Sequence, residues 1–316
     1  VTELSVVIPC YNAAPFLDEA ISSVFAQTRS PSEVIIVDDG STDGTAEIAE
    51  RRGVRVIRLE RNVGAAAARN AGLRAARGDL VAWLDADDIW KPEHLAIVVP
   101  LLERFPAAVL AFSLVETFGG ESSVWPTLLP AGAPVNAEAA CLRRCILPQN
   151  AVVVRRAEVL AAGGYDERLR LAEDYDLWLR LSREYSFVCT HLVTCNWRCH
   201  ANQQSRGNAE SYWAAEYESR RRYRIAVVAA GTPEVVANLD EAMRDVWKEH
   251  VAVAWHGRQT RHFDFHLSMA PLVPGAEAFV SRYRWRKLLL PAARLLDALR
   301  KPVNAASRRL RRRMTA

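Results

Sequence analysis

Two clusters of acids stand directly behind strand-like runs: Asp38-Asp39-Gly40-Ser41 follows residues 33–37, and Asp85-Ala86-Asp87-Asp88 follows residues 80–84. Asp, Gly and Ser are good turn formers, which accounts for Asp43-Gly44. It does not account for Asp85, Asp87 and Asp88 together, because one turn needs one such residue. Up to five carboxylates brought to one cleft would repel and raise one another's pKa, so the arrangement calls for a cation. A divalent ion with oxygen ligands, Mg²⁺ or Mn²⁺, meets that need when held by one or two carboxylates and the phosphates of a substrate. A third feature is Gly64, followed by Ala65 to Ala68 and then Arg69-Asn70-Ala71-Gly72, at the start of a helix. Small residues there permit plain helix packing or the close approach of a phosphate, and the charge of Arg69 could reach a diphosphate. The segment is neither a P-loop nor a G-x-G-x-x-G turn.

The elements that must position these groups alternate along the chain. Residues 5–8, 33–37, 54–59 and 80–84 read as apolar or β-branched strands. Helical patterns from Pro15, over 45–52 (ended by Gly53) and over 65–76 separate them. This rhythm predicts an α/β fold with a mostly parallel, doubly wound, Rossmann-like sheet covered on both faces. In such a sheet the two acidic loops open at the same carboxyl edge, where ligands bind. A helix from Pro92, a strand at 107–112, a surface loop at 119–134, a strand at 151–154 and a helix at 174–182 follow. After about residue 210 the pattern becomes helical, over 212–230 and 233–255. We therefore expect an α/β domain over 1–210 and a helical C-terminal region over 211–316.

Charge is unevenly divided along the 316 residues. Twelve basic residues and one acid lie in 282–316, a charge of +11; residues 1–281 therefore carry −7 of the whole-chain +4. An acidic body does not suit a domain that coats nucleic acid. Cys195-x3-Cys199 with His200 lacks the second half of a zinc motif, so the six cysteines read as reduced structural thiols. No apolar run reaches bilayer length, and the chain opens into a strand without a basic leader, so a cytoplasmic location is expected.

The motifs Val6-Val7-Ile8-Pro9-Cys10-Tyr11-Asn12, Val37-Asp38-Asp39-Gly40-Ser41-Thr42-Asp43, Asn62-x-Gly64 with Arg69-Asn70-x-Gly72, and Leu84-Asp85-Ala86-Asp87-Asp88 occur in order. Gly163-Gly164-Tyr165-Asp166-Glu167 and Glu173-Asp174-Tyr175-Asp176-Leu177-Trp178 continue the series. Together they resemble a family 2 glycosyltransferase of the GT-A fold over about residues 3–205. The resemblance implies a nucleoside-diphosphate sugar donor, with a UDP- or dTDP-sugar favoured, and inversion at the anomeric carbon. It implies that Pro9, Tyr11, Asn12 and Ser41 line the nucleotide pocket and that Asp39 accepts from a uracil or thymine ring N–H. By the same resemblance Asp85 sits by the ribose and diphosphate, Arg69 near the diphosphate, and Asp87 closes a D-x-D motif and binds the metal. Asp174 would be the catalytic base. Arg198 and His200 would contact the diphosphate or metal, with Ser205 in the same loop.

Two alternative functions are open to such a chain. A sugar nucleotidyltransferase wants a Gly-rich basic loop after the first strand, where this chain has Pro9-Cys10-Tyr11-Asn12-Ala13-Ala14. A non-catalytic nucleotide or glycan binder would have no need of Asp39, Asp85, Asp87 and Asp174 together. The Gln-x-x-Arg-Trp motif of a processive synthase is missing; Gln203-Gln204-Ser205-Arg206 is not that motif. In the tail, Leu288, Ala292, Leu295 and Leu299 form an apolar stripe edged by Lys287, Arg294 and Lys301. This basic amphipathic pattern favours a peripheral contact with an anionic membrane surface, where a glycan or lipid-linked acceptor would be met. A solvated end, or docking on the acidic body, are the rival readings.

Overall fold

The structure, a computed structural model, describes residues 2–200, 203, 209–230, 233–256, 260–276 and 278–280. The chain divides into two compact units, Val1–Tyr223 and Arg224–Ala316. The first unit thus includes most of a helix that the sequence pattern assigns to the C-terminal region.

In that unit β1 (Leu4–Cys10), α1 (Leu17–Phe25), β2 (Glu33–Asp38), α2 (Thr45–Arg51), β3 (Arg55–Arg58), α3 (Ala65–Ala75) and β4 (Leu80–Trp83) form the expected alternation. Then come β5 (Ile89–Trp90), α4 (His94–Arg104), β6 (Ala108–Phe118), β7 (Val124–Trp125), β8 (Val135–Asn136) and α5 (Glu138–Arg143). The unit continues with β9 (Val152–Arg155), α6 (Arg156–Ala161), α7 (Glu173–Glu184), β10 (Ser186–Arg198) and the start of α8 (Ala209–Ala229).

The strands lie in the order β3-β2-β1-β4-β9-β6-β10-β5. Pairing is parallel from β3 to β4, with Val6 opposite Val34 and Ala82, and parallel again between β6 and β10. β9 runs antiparallel to both its neighbours, with Val154 opposite Val81 and Leu110. The sheet is therefore mostly parallel, with one reversed strand inside it.

The core explains the strand composition. Val6, Val7, Ile8, Ile35, Ile36, Val37, Val81 and Ala82 are all fully buried. A strand covered on both faces has no polar alternation to show. Burying each Val or Ile side chain contributes about 1.5–3 kcal/mol relative to leaving it exposed. α3 lies so close on β1 that a Cβ at Gly72 would collide with Val7 Cγ1. That approach explains a glycine in the middle of a helix.

Beyond β4 the elements depart from their sequence limits. The strand expected at 107–112 runs on to Phe118, and the segment expected as a surface loop folds back as β7, pairing Val124 with Glu116. Trp125 on that return stands edge-on to Trp197 of β10 at 5.3 Å, which holds the hairpin down.

The second unit contains α9 (Pro233–His256) and α10 (Thr260–Ser268). Leu239, Met243, Trp247 and Val251 bury one stripe of α9, and Trp247 Nε1 donates to the carbonyl of His266 at 2.6 Å. No helix of the described residues is long and apolar enough to cross a membrane. The basic stretch 282–316 lies outside the described residues.

Candidate active site

Because β1, β2 and β4 run parallel, the loops that leave them share one sheet edge, and short hydrogen bonds lock them together. Asn12 takes a left-handed backbone, φ 47°, that turns the chain out of β1. Its N–H donates to Ser41 Oγ and its Oδ1 accepts from the N–H of Thr42, both at 2.9 Å. Asp39 is buried and accepts the N–H groups of Val63 and Gly64, one on each oxygen, at 2.8 Å. Each oxygen keeps a second lone pair for another donor. Asp38 accepts from the N–H of Ser41 at 3.2 Å, and Asp43 from those of Thr45 and Ala14 at 3.1 Å. Tyr11 presents its ring to solvent at this edge, 49% exposed, while Pro9 sits within β1 opposite Val37.

The acids after β4 divide their roles. Asp88 is buried and accepts from the backbone N–H of Arg198 at 2.8 Å and from the Asn150 side-chain amide. Burial, then Asp87 and Asp85, hold its carboxyl well above the ordinary value. It fixes the end of β10 to the end of β4. Asp87 faces His200, with Nε2 and Oδ2 2.9 Å apart. Burial first and then Asp85 raise its pKa, while His200 pulls the other way.

Five free carboxylates do not, then, converge on one cleft: Asp38 and Asp88 are committed to backbone and amide donors. Among the described residues no group of three or more His, Cys, Asp or Glu could hold a metal alone. The Asp87 oxygen fits Mg²⁺ or Mn²⁺ when phosphate and water oxygens complete the shell, and the His200 imidazole beside it fits the softer Mn²⁺ better than Mg²⁺.

Asp174 stands at the start of α7, behind Ala172, whose φ is 56°. Its Oδ1 accepts the N–H of Tyr175 at 2.8 Å. Burial, and then the adjacent Glu173, push its carboxyl up to about 7, against the pull of Arg69. Arg69 is 7% exposed and reaches both halves of the site. Its Nη2 donates to Asp85 Oδ1 at 2.9 Å and its Nη1 to Glu173 Oε1. A pair of backbone-mimicking bonds holds α3 against the segment between α6 and α7. Asn70 Nδ2 donates to the Tyr165 carbonyl at 2.8 Å, and the Tyr165 N–H returns to Asn70 Oδ1 at 2.9 Å. Gly164 is required there, since a Cβ would lie 2.5 Å from Asn70 Oδ1.

Residues 5–151 match the model of Glycosyl transferase family 2. An uncharacterized glycosyltransferase of Rickettsia prowazekii is 29% identical over 221 residues, which cover 68% of this chain and 69% of that protein. The chain is a glycosyltransferase, similar to family 2 over residues 5–151. Its fold is that of solved GT-A enzymes. S. aureus TarS 1-349 in complex with UDP-GlcNAc superposes with a TM-score of 0.69 at 18% identity, covering 91% of this chain and 89% of that one. A mannosyltransferase from Pyrobaculum calidifontis, in complex with GDP-Man and Mn²⁺, gives 0.57 at 20% identity, covering 95% and 88%.

In this glycosyltransferase most residues singled out from sequence meet at one edge: Pro9, Tyr11, Asn12, Asp39 and Ser41 on one side, Asp85, Asp87, Arg69 and Asp174 on the other. Arg198 arrives beside Asp87, but its guanidinium is already engaged. Nε donates to the Asp87 carbonyl at 2.8 Å and Nη2 to Glu19 at 2.5 Å, while Phe118 and Phe16 flank it at 4.5 and 5.2 Å. It braces the D-x-D loop. Ser205 lies outside the described residues. Glu19, Phe16, Phe118 and Asn150 carried no sequence signal, because each matters only through a partner more than 60 residues away. All six cysteines are buried, and no disulfide joins them.

Proposed function

We propose that this glycosyltransferase is inverting and metal-dependent, moving a sugar from a nucleoside-diphosphate donor to an acceptor hydroxyl in cell-surface or secreted glycan synthesis. The carrying observation is the chain Asp85–Arg69–Glu173, which joins the strand-end carboxylates to the helix that bears Asp174. The likeness to structures holding UDP-GlcNAc and GDP-Man with Mn²⁺ supports a nucleotide-sugar donor.

Pro9, Tyr11, Asn12 and Ser41 would form the wall of the nucleobase pocket. The free lone pairs of Asp39 would accept from a uracil or thymine ring N–H, so a UDP- or dTDP-sugar is favoured. Asp85 would take the ribose hydroxyls. Asp87 and His200 would hold Mn²⁺ or Mg²⁺, which when bound supplies charge to the departing diphosphate without a proton. Asp174 would accept the proton of the acceptor hydroxyl while that oxygen bonds to the anomeric carbon and the carbon–diphosphate bond breaks. A base whose pKa lies near the working pH suits that task. One displacement from the opposite face inverts the centre.

We also propose that residues 1–210 suffice for this chemistry, and that 282–316 bring the protein to the anionic inner face of the membrane and its glycan or lipid-linked acceptor. Each Lys or Arg near such a surface contributes about 1 kcal/mol. Removing 282–316 is expected to end sedimentation with phosphatidylglycerol vesicles; unchanged sedimentation would refute the membrane contact. Release of nucleoside diphosphate from UDP-GlcNAc, dTDP-sugars and GDP-mannose with Mn²⁺ tests the reaction itself. No turnover that depends on Asp174 with any donor would refute it.

A further inference from the structure

Arg69 has a place in the site that binding and proton transfer do not by themselves explain. It is buried, its Nε has no partner, and its Cζ lies 5.8 Å from the Tyr165 ring. A guanidinium taken out of water needs compensating charge, and here two carboxylates from different halves of the site supply it. Asp85 follows β4 beside the nucleotide loops. Glu173 opens α7, 104 residues further from Arg69, next to Asp174.

We propose that Arg69 is a positioning residue that ties occupancy of the nucleotide half of the site to the charge on Asp174, so that a bound nucleotide readies the base. This rests on the function proposed above. With the site empty, the charge of Arg69 is divided between Asp85 and Glu173. Ribose hydroxyls that donate to Asp85 stabilise its charge in place of Arg69. Those hydroxyl dipoles offset part of the Asp85 charge, so the net potential of the Arg69–Asp85 pair at the start of α7 becomes more positive, and the ionised form of Asp174 is favoured.

The groups around Asp174 make Arg69 the effective partner. Glu173 on α7, Asp85 behind β4, Tyr165 ahead of α7, Cys145 behind α5 and Tyr212 on α8 all interact with it electrostatically, and none of these carries positive charge. Arg69 is the cation with the largest pull on it. Asp174 begins with its carboxyl raised to about 7, so a modest gain from Arg69 moves a proton near neutral pH. Binding and proton release are reciprocal: if nucleotide expels the proton, nucleotide binds more tightly as the pH rises.

Calorimetric titration of the full chain with UDP and with GDP, each with MnCl₂, in buffers of differing ionisation enthalpy tests this without any acceptor. At pH 7 the unaltered protein is expected to release a fraction of a proton, with affinity rising by no more than about tenfold per pH unit, the limit for one coupled proton. Asp174→Asn should lose that part of the release, leaving whatever the metal site contributes. Arg69→Met should lose the same part. Should it fail to fold, Arg69→Lys, which keeps the charge without the two-pronged fork, should cut it by more than half. Equal proton release in Asp174→Asn and the unaltered protein would overturn the inference alone. Failure of both nucleotides to bind would overturn the glycosyl-transfer reading and this inference with it.

Discussion

The acids after β2 and the acids after β4 and at α7 are the same residue type at neighbouring places, and they are treated in opposite ways. Asp39 has a backbone N–H on each oxygen and Asp38 has one of its own. Their charge holds loops in place. Asp87 and Asp174 are left with one close donor each, and burial raises both. Charge whose demand is met by fixed donors builds a frame; charge left short of donors takes up a cation or a proton. Asp88, beside Asp87, shows how narrow the division is: two donors make it a brace, yet burial, Asp87 and Asp85 still hold its carboxyl well above the ordinary value.

The contrast can be broken by substitution. Asp174→Asn is expected to lower the transfer rate by about 10²–10⁴-fold, the range for a positioned general base, while nucleotide affinity in calorimetry loses only its pH-dependent part. Asp87→Ala should cost about 10²-fold and abolish the response of rate to Mn²⁺, since a metal's transition-state stabilisation amounts to several kcal/mol. Activity that persists in excess chelator would contradict that role. The pH profile comes next in size. A base with its pKa raised to about 7 works only when ionised, so kcat/KM should fall tenfold per unit on the acid side of that value, and kcat only below the lower value that bound nucleotide sets. A flat profile between pH 5 and 7 would assign the proton elsewhere. The smallest effect is expected at Glu19→Gln, which weakens one part-exposed bond to Arg198; about 0.5–1.5 kcal/mol is at stake, seen as a modest rise in the Mn²⁺ requirement.

Much of this frame is legible in the amino-acid order, and the reasons are physical. β1, β2 and β4 announce themselves because two covered faces leave them uniformly apolar. Their shared direction follows from the helices between them, and it puts Asp39, Asp85 and Asp87 at one edge. The direction of β9 is not legible, because Val152-Val153-Val154 reads alike in a parallel and an antiparallel strand. β10 is hidden by a bulge between Cys189 and Val193, which exposes His191 and Leu192 and breaks the alternation. Nor does Asp85-Ala86-Asp87-Asp88 say which acid is a brace. That depends on β5 pairing with β10, Trp90 against Cys195, which carries the Arg198 amide to Asp88. The engagement of Arg198 with Glu19 across 179 residues has no local trace.

The most direct test of the division between frame and chemistry is the free energy of urea unfolding for Asp174→Asn and Asp39→Asn against the unaltered protein at pH 8. Asp174 has its folded pKa raised, so its stability is present at low pH and lost as the pH rises through about 7. Neutral Asn should therefore stabilise by up to about 4 kcal/mol at pH 8, and by nothing below pH 4, even as it removes activity. Asp39→Asn can satisfy one backbone N–H and leaves the other buried without an acceptor, so it should cost about 1–3 kcal/mol at pH 8. Opposite signs are the predicted result. A loss of stability at both positions, or a gain at Asp174 that does not depend on pH, would contradict it.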